Sequence, residues 1–175
     1  MTDSTSITAY LNIITKREIR RYEDRPIPDD ALMRMLQAGR ATGSSRNSQP
    51  WRFYVIRNRE VLNQLAEYVY EPDNIRGCQL AIALVMTRPR SFDAGRAAQN
   101  IALAAWADGI GTCPNGIRDM DAVRRLLDLE EDWDVPTILS VGYPAEPLRP
   151  RGKDPDAILE RIDRKPLEEL THWID

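Results

Sequence analysis

Histidine and cysteine are almost missing from this chain, which has one histidine, His172, and two cysteines, Cys78 and Cys113, in 175 residues. The cysteines stand alone, without metal-ligand spacing. A single histidine gives neither a zinc site nor a serine triad a basis. Both thiols read as small buried side chains in a reducing cytoplasm, and His172 as a packing residue of the tail rather than a proton donor. No apolar run approaches the roughly 20 residues that a membrane helix needs. The polar start of the chain has no signal-peptide pattern. The expectations are therefore no membrane and a cytoplasmic location. Lys and Arg number 24 against 27 Asp and Glu, a formal charge of −3, so no overall basic character argues for nucleic acid. Repeats and low-complexity segments are absent too.

What is present is a soluble, globular composition, 42% hydrophobic and 29% charged, long enough for one domain with a sizeable core. Ile7, Tyr10, Leu11 and Ile14 share one face of a first helix that ends near Thr15. Asp29 and Asp30 start a second helix, with Leu32, Met35 and Leu36 inward, ending before Gly43. Arg52 to Ile56 is rich in strand formers. Val61, Leu62, Leu65, Ala66 and Val69 mark a third helix. Leu80 to Met86 is uniformly apolar, a buried strand. From Phe92 to Asp108 an alanine-rich helix lets neighbours approach on several sides, which suits a central helix or a dimer interface. Gly109-Ile110-Gly111 stops it, and Pro114-Asn115-Gly116 reads as a turn. A short helix through Val123, Leu126 and Leu127 follows, then a strand from Thr137 to Val141. The fold class is mixed α/β (α+β), a single domain over residues 1–175. Residues 150–175 form an extension whose end carries Leu167, Leu170, Trp173 and Ile174. Apolar anchors at a chain end need somewhere to dock, and a neighbouring subunit is a natural place.

Two polar runs stand out. Lys16-Arg17-Glu18-Ile19-Arg20-Arg21-Tyr22 carries four cations in six positions, and Ser44-Ser45-Arg46-Asn47-Ser48-Gln49 is a turn leading through Pro50-Trp51 into a strand. Cations suit a phosphate, because the arginine fork matches two of its oxygens and lysine adds a point charge. The hydroxyls and amides of the turn suit the edge of a flat polar ring. Charge runs are ordinarily solvated surface, and Ser/Asn turns ordinarily stabilise their own loop. Trp51 reads as a core or interface anchor rather than a stacking partner.

These runs resemble the signature of the FMN-dependent nitroreductase family, R-R-S-V-R-x-F followed by P-S-S-x-N-x-Q-P-W-x-F, with matches at Ser44, Ser45, Asn47, Gln49, Pro50, Trp51 and Phe53. Gly109-Ile110-Gly111-Thr112-Cys113 is similar to the family's G-L-G-[TS]-C, Gly142-Tyr143-Pro144 to its G-Y-P, and Arg164-Lys165-Pro166-Leu167-Glu168-Glu169 to its R-[RK]-P-L-E-E. The resemblance implies a nitroreductase-like fold, a central mixed sheet flanked by helices, in an intertwined homodimer with FMN at the interface. It implies phosphate binding by Lys16, Arg17, Arg20 and Arg164, with Lys165 a weaker candidate. It further implies ribityl and ring-edge contacts from Ser44, Ser45, Asn47 and Gln49, and backbone groups of Pro114, Asn115 and Gly116 near the flavin N5. The implied activity moves hydride from NADH or NADPH through FMN to a small electron-poor acceptor, a nitroaromatic or quinone, with no catalytic side chain and no metal. Three positions depart from the pattern. Glu18 replaces serine, so it either turns toward Arg17 or Arg21 or opposes the phosphate. Gly43 replaces proline, and Pro114-Asn115 replaces Trp-Ile. These departures keep open a flavin-binding or regulatory dimer without reductase turnover. A purely structural α/β dimer has only the helix pattern behind it.

Overall fold

The computed structural model describes residues 4–89, 91–146 and 154–174. The chain divides into two compact units, Lys16–Leu148 and the paired terminal segments Met1–Thr15 and Arg149–Asp175. Helix 1 thus groups with the C-terminal extension, a partnership that local pattern does not reveal.

The larger unit is built on a four-stranded sheet. Its strands are β1 (Trp51–Ile56), β2 (Leu80–Met86), β3 (Gly111–Asn115) and β4 (Asp134–Gly142), in the order β1-β2-β4-β3. All three pairings are antiparallel. The parallel contact among the described residues is an isolated bridge from Glu18 to Thr112. Every residue of β2 is buried, as a central strand covered on both faces requires.

Alternation along the strands divides the core in two. On one face Trp51, Leu80, Ile82, Leu84, Leu139 and Val141 pack with α2 (Asp29–Arg40) and α5 (Ser91–Ala107). On the other, Ala81, Ala83, Val85 and Ile138 pack with α3 (Arg59–Ala66), α4 (Pro72–Arg76) and α6 (Met120–Leu126). Helix α2 starts on Asp29 and Asp30, whose charges suit the positive helix end, and buries Ala31, Leu32, Met35 and Gly39. Asn58 caps α3 by accepting from the Glu60 and Val61 amides at 2.9 and 3.2 Å. Helices α2 and α5 run antiparallel. Arg34 meets Asp108 at one end at 2.9 Å, and Asn100 donates to Thr42 Oγ1 at 2.7 Å towards the other.

Two expectations fail here. Residues 111–115 form a strand where Pro114-Asn115-Gly116 suggests a turn, because pairing with buried β4 overrides the poor strand propensity of Gly, Pro and Asn. Helix α3 stops at Ala66, and Val69 instead bridges Ile117, while Pro72 at a helix start opens the unanticipated α4.

The run Lys16–Tyr22 seals the outer edge of β3. The Ile19 amide donates to Thr112 O at 2.9 Å, Tyr22 bridges Pro144, and the Glu23 amide donates to Tyr143 O at 2.8 Å. Covering that edge removes a row of unpaired backbone groups. Two glycines permit the approach. A Cβ on Gly111 would lie 2.5 Å from the Ile19 side chain, and one on Gly142 would lie 2.7 Å from Tyr22.

In the terminal unit α1 (Ser4–Thr15) packs on α7 (Pro155–Leu159), with Ile158 buried and Asp154 capping α7. A single turn, α8 (Leu167–Leu170), follows, and Leu167, Leu170, Trp173 and Ile174 are all exposed.

The glycine contacts give a stability test. Gly111→Ala pushes Ile19 off the sheet edge and should cost about 1–3 kcal/mol, seen as a melting-temperature drop of about 2–9 °C for a chain of this size. Gly111→Ala combined with Ile19→Ala should lose less than the two single changes added together, because the clash is then gone. Strict additivity in thermal melts contradicts the contact.

Candidate functional site

The polar turn is a strained, anchored loop. Ser45–Asn47 form one 3-10 turn. Arg46, Asn47 and Gln49 have φ of 54°, 53° and 45°, the left-handed region that ordinary side chains avoid. Such residues cost about 1–3 kcal/mol each, so the surroundings must hold them. Ser44 Oγ accepts from the Gln49 amide at 2.9 Å, closing the loop on itself. The Asp93 carboxylate, 4% exposed in the first turn of α5, accepts from the Ser45 amide at 3.2 Å. Arg96 stands 3.9 Å from Asp93, and its guanidinium would be 3.1 Å from a Cβ at position 43. Glycine in place of proline therefore lets Arg96 lie against the loop. Ser45, Asn47 and Gln49 are left exposed. Asp93 and Arg96 escape a sequence reading, because a carboxylate near a helix start has an ordinary role there and nothing local shows that it reaches back to Ser45.

The cationic run divides by its neighbours: Lys16, Glu18 and Arg20 lie near the Cys113 thiol, Ile19 packs over Gly111, and Arg21 pairs with Glu146. The Cys113 thiol locates the first group. Burial pushes its pKa up, Arg20 and Lys16 pull it down, and Glu18 raises it further. Lys16 and Glu18 form an ion pair, the lysine side chain 8% and the glutamate 38% exposed. The glutamate's partner is thus lysine rather than Arg17 or Arg21. Two residues apart on extended backbone is the spacing that shares a face. Arg21 pairs with Glu146, and Arg17 donates to Lys16 O at 2.8 Å.

Beneath this strip lies a buried polar network. Asn115 Nδ2 donates to the Cys113 and Ile138 carbonyls at 2.9 and 3.0 Å and to Ser140 Oγ at 3.2 Å, and its Oδ1 accepts from Asn74 at 2.9 Å. Tyr22 shares a 2.8 Å hydrogen bond with Ser140 Oγ, and burial drives its phenol pKa far up. The Asn115 side chain is thus fully committed inward. At this turn Pro114 and Gly116 are exposed, and Gly116 O accepts from the Tyr70 amide at 3.1 Å. Arg164 is exposed in the terminal unit and donates to Asp163 O at 2.6 Å.

The polar loop and the cationic strip do not meet within one subunit. Asp93, which holds the loop, begins α5, and Gly111, which carries the strip, lies just beyond its end. From Asp93 to Ala107 the helix climbs about 21 Å. Strand pairing agrees. Trp51, after the loop, aligns through Met86 with Asp134, and Thr112, beside the strip, aligns with Val141. The step from Asp134 to Val141 covers about 23 Å along β4, and the loop and strip lie at opposite edges of the sheet. Beside the loop, on the open edge of β1, is a groove of about 390 Å³ floored by Met33, Leu36, Trp51 and Phe53, with Arg40 and Arg52 at its rim.

Comparison with known proteins gives concordant findings. The family model described as Nitroreductase family matches residues 13–77 and 79–143. A Methanothermobacter thermautotrophicus protein named "Putative NADH dehydrogenase/NAD(P)H nitroreductase" is 32% identical over 158 residues, 83% of each chain. An Archaeoglobus fulgidus protein of the same name is 34% identical over 146 residues, covering 77% of this chain and 84% of that one. Among solved structures, a "putative nitroreductase in complex with fmn" from Desulfovibrio desulfuricans superposes with a TM-score of 0.79 at 27% identity, over 95% of this chain and 96% of that one.

The Asp93 anchor can be tested directly. Asp93→Ala leaves the Ser45 amide without its acceptor, a charge-assisted bond of about 1.5–3 kcal/mol. Hydrogen exchange across residues 44–50 should then accelerate about ten- to hundredfold, with β2 unchanged. Asp93→Asn keeps an acceptor oxygen and should retain part of the protection. Equal exchange in all three proteins contradicts the anchoring role.

Proposed function

The chain belongs to the nitroreductase family, and from that premise we propose an FMN-dependent oxidoreductase that draws hydride from NADH or NADPH and delivers it to a small electron-poor acceptor, a nitroaromatic or a quinone. The observation that carries this reading is the placement of two complementary half-sites at opposite ends of α5. One is a cationic strip suited to a phosphate, the other an outward polar loop suited to a ring edge. A second copy of the chain can bring its loop to the first copy's strip, so the site is completed in a homodimer.

The donor set fits the cofactor. Lys16 and Arg20 supply charge on one side of an edge that Thr112 and Gly111 hold in place. Arg17 and Arg164 are proposed to add further cations to the phosphate. The loop offers Ser44, Ser45, Asn47 and Gln49 in a conformation set before binding, which lowers the cost of ordering it. The backbone of Pro114, Asn115 and Gly116 is proposed to lie near the reactive edge, with the Asn115 network keeping that strand rigid. The flavin, when bound, supplies the hydride chemistry, so no side chain of the chain has to act as a nucleophile. The scarcity of His and Cys agrees with that division of labour. Residues 150–175 are proposed to dock on the partner subunit, with the exposed Leu167, Leu170, Trp173 and Ile174 as anchors and the groove beside β1 as a receiving surface. Two free, buried cysteines fit a cytoplasmic protein.

Saturation with FMN, removal of excess and denaturation should release about one flavin per chain. Anaerobic addition of NADH or NADPH should bleach the yellow colour, and a nitroaromatic or quinone should restore it. Bound flavin that neither nicotinamide reduces would favour a binding or regulatory dimer, the reading that the Lys16–Glu18 pair keeps in view. Mass in solution should be twice 20.0 kDa, and deletion after Pro166 should leave an unstable or monomeric chain. A stable native monomer contradicts the composite site. Arg20→Ala should weaken FMN binding about tenfold or more, against little change for exposed Arg125→Ala on α6. Equal effects remove Arg20 from the site.

A further inference from the structure

We propose that Glu18 is an internal counter-anion that sets how strongly the site selects a flavin bearing a terminal phosphate over the same flavin without one. The proposal rests on the FMN reading above and deepens it. Lys16 is almost enclosed, and its ammonium is bound by the Glu18 carboxylate. The pair sits on backbone fixed by the Ile19–Thr112 hydrogen bond and the Ile19–Gly111 contact. The ion pair of Glu18 is with Lys16. Arg21 is already paired with Glu146. Lys16, Glu18 and Arg20 together thus present one net positive charge.

A phosphate monoester brings about −1.5 to −2 charges at neutral pH. It meets Arg20 in full, a lysine already neutralised, and a carboxylate on the same side. Same-side neighbours on a strand are about 7 Å apart, close enough for repulsion to matter in a partly enclosed site. Riboflavin has the same ring and ribityl chain but no phosphate. It gains nothing from the cations and loses nothing to Glu18. The carboxylate therefore lowers FMN affinity selectively and compresses the ratio of FMN to riboflavin affinity.

The test is flavin-fluorescence titration of the full-length protein, freed of bound flavin, with FMN and with riboflavin. Wild type, Glu18→Gln and Glu18→Ser are compared, and melting curves verify folding. Glu18→Gln should tighten FMN by about three- to thirtyfold while riboflavin changes less than about twofold. The FMN gain should shrink at high salt. Glu18→Ser should act in the same direction, and it keeps the test alive if the glutamine variant does not fold. Three outcomes overturn the proposal: unchanged FMN affinity, a loss of FMN affinity in both variants, or equal gains for the two flavins. Failure of every protein, wild type included, to bind either flavin overturns the FMN reading itself and is a distinct result.

Discussion

The length of α5 governs the functional geometry of this chain. One rigid, alanine-rich helix holds the strained loop at its start and delivers the chain to Gly111 at its end. About 21 Å of helix cannot be bridged by side chains, so loop and strip stay apart within the chain. The same helix packs antiparallel on α2 and covers one face of the sheet, so stability and spacing share a cause. Small side chains matter at these crossings. Gly39 on α2 comes so close that a Cβ there would be 2.9 Å from Ile101 on α5. A helix that fills the core in this way also fixes the separation between loop and strip.

The loop illustrates how local strain is carried by distant residues. Left-handed Arg46, Asn47 and Gln49 disfavour the conformation by several kcal/mol in sum. Loop-internal bonds, the 3-10 turn and Ser44 Oγ to the Gln49 amide, offset part of this. The buried Asp93 supplies a charge-assisted bond from outside the loop, at a helix start where a negative charge is favoured. Its position on α5 couples loop shape to the core. Strain kept at an exposed polar turn, with its side chains pointing outward, is the pattern expected where a ligand is met by preset groups.

Much of this was legible in the sequence, and the exceptions share a cause. The apolar run 80–86, the acidic start at Asp29 and the alanine-rich run from 92 are local signals, and each became the element it suggested. Residues 111–115 carry no such signal. Their strand exists because β4 is buried beside them and Asn115 is satisfied from four directions. The two polar runs were visible as chemistry but not as geometry. The cations read as one cluster, and only the edge position of the strip shows that Lys16 and Arg20 lie near Cys113 while Arg21 pairs with Glu146. Asp93 and the Lys16–Glu18 pair depend on which side of a strand or helix a residue occupies relative to another element, which spacing alone does not fix.

The strip explains why a carboxylate is tolerated among cations that suit a phosphate. Its backbone bonds to Thr112 at the sheet edge, and the Lys16 side chain is only 8% exposed. An enclosed ammonium without a counter-ion is strongly disfavoured, since its hydration is lost and nothing repays it. Serine at position 18 could offer only a hydroxyl, leaving the lysine dependent on a bound anion to be compensated. Glutamate at position 18 compensates it in the absence of any ligand. In the proposed FMN site, the charge that compensates Lys16 is therefore the same charge that a phosphate must work against. In that proposed site, fold stability and phosphate affinity draw on one ammonium group.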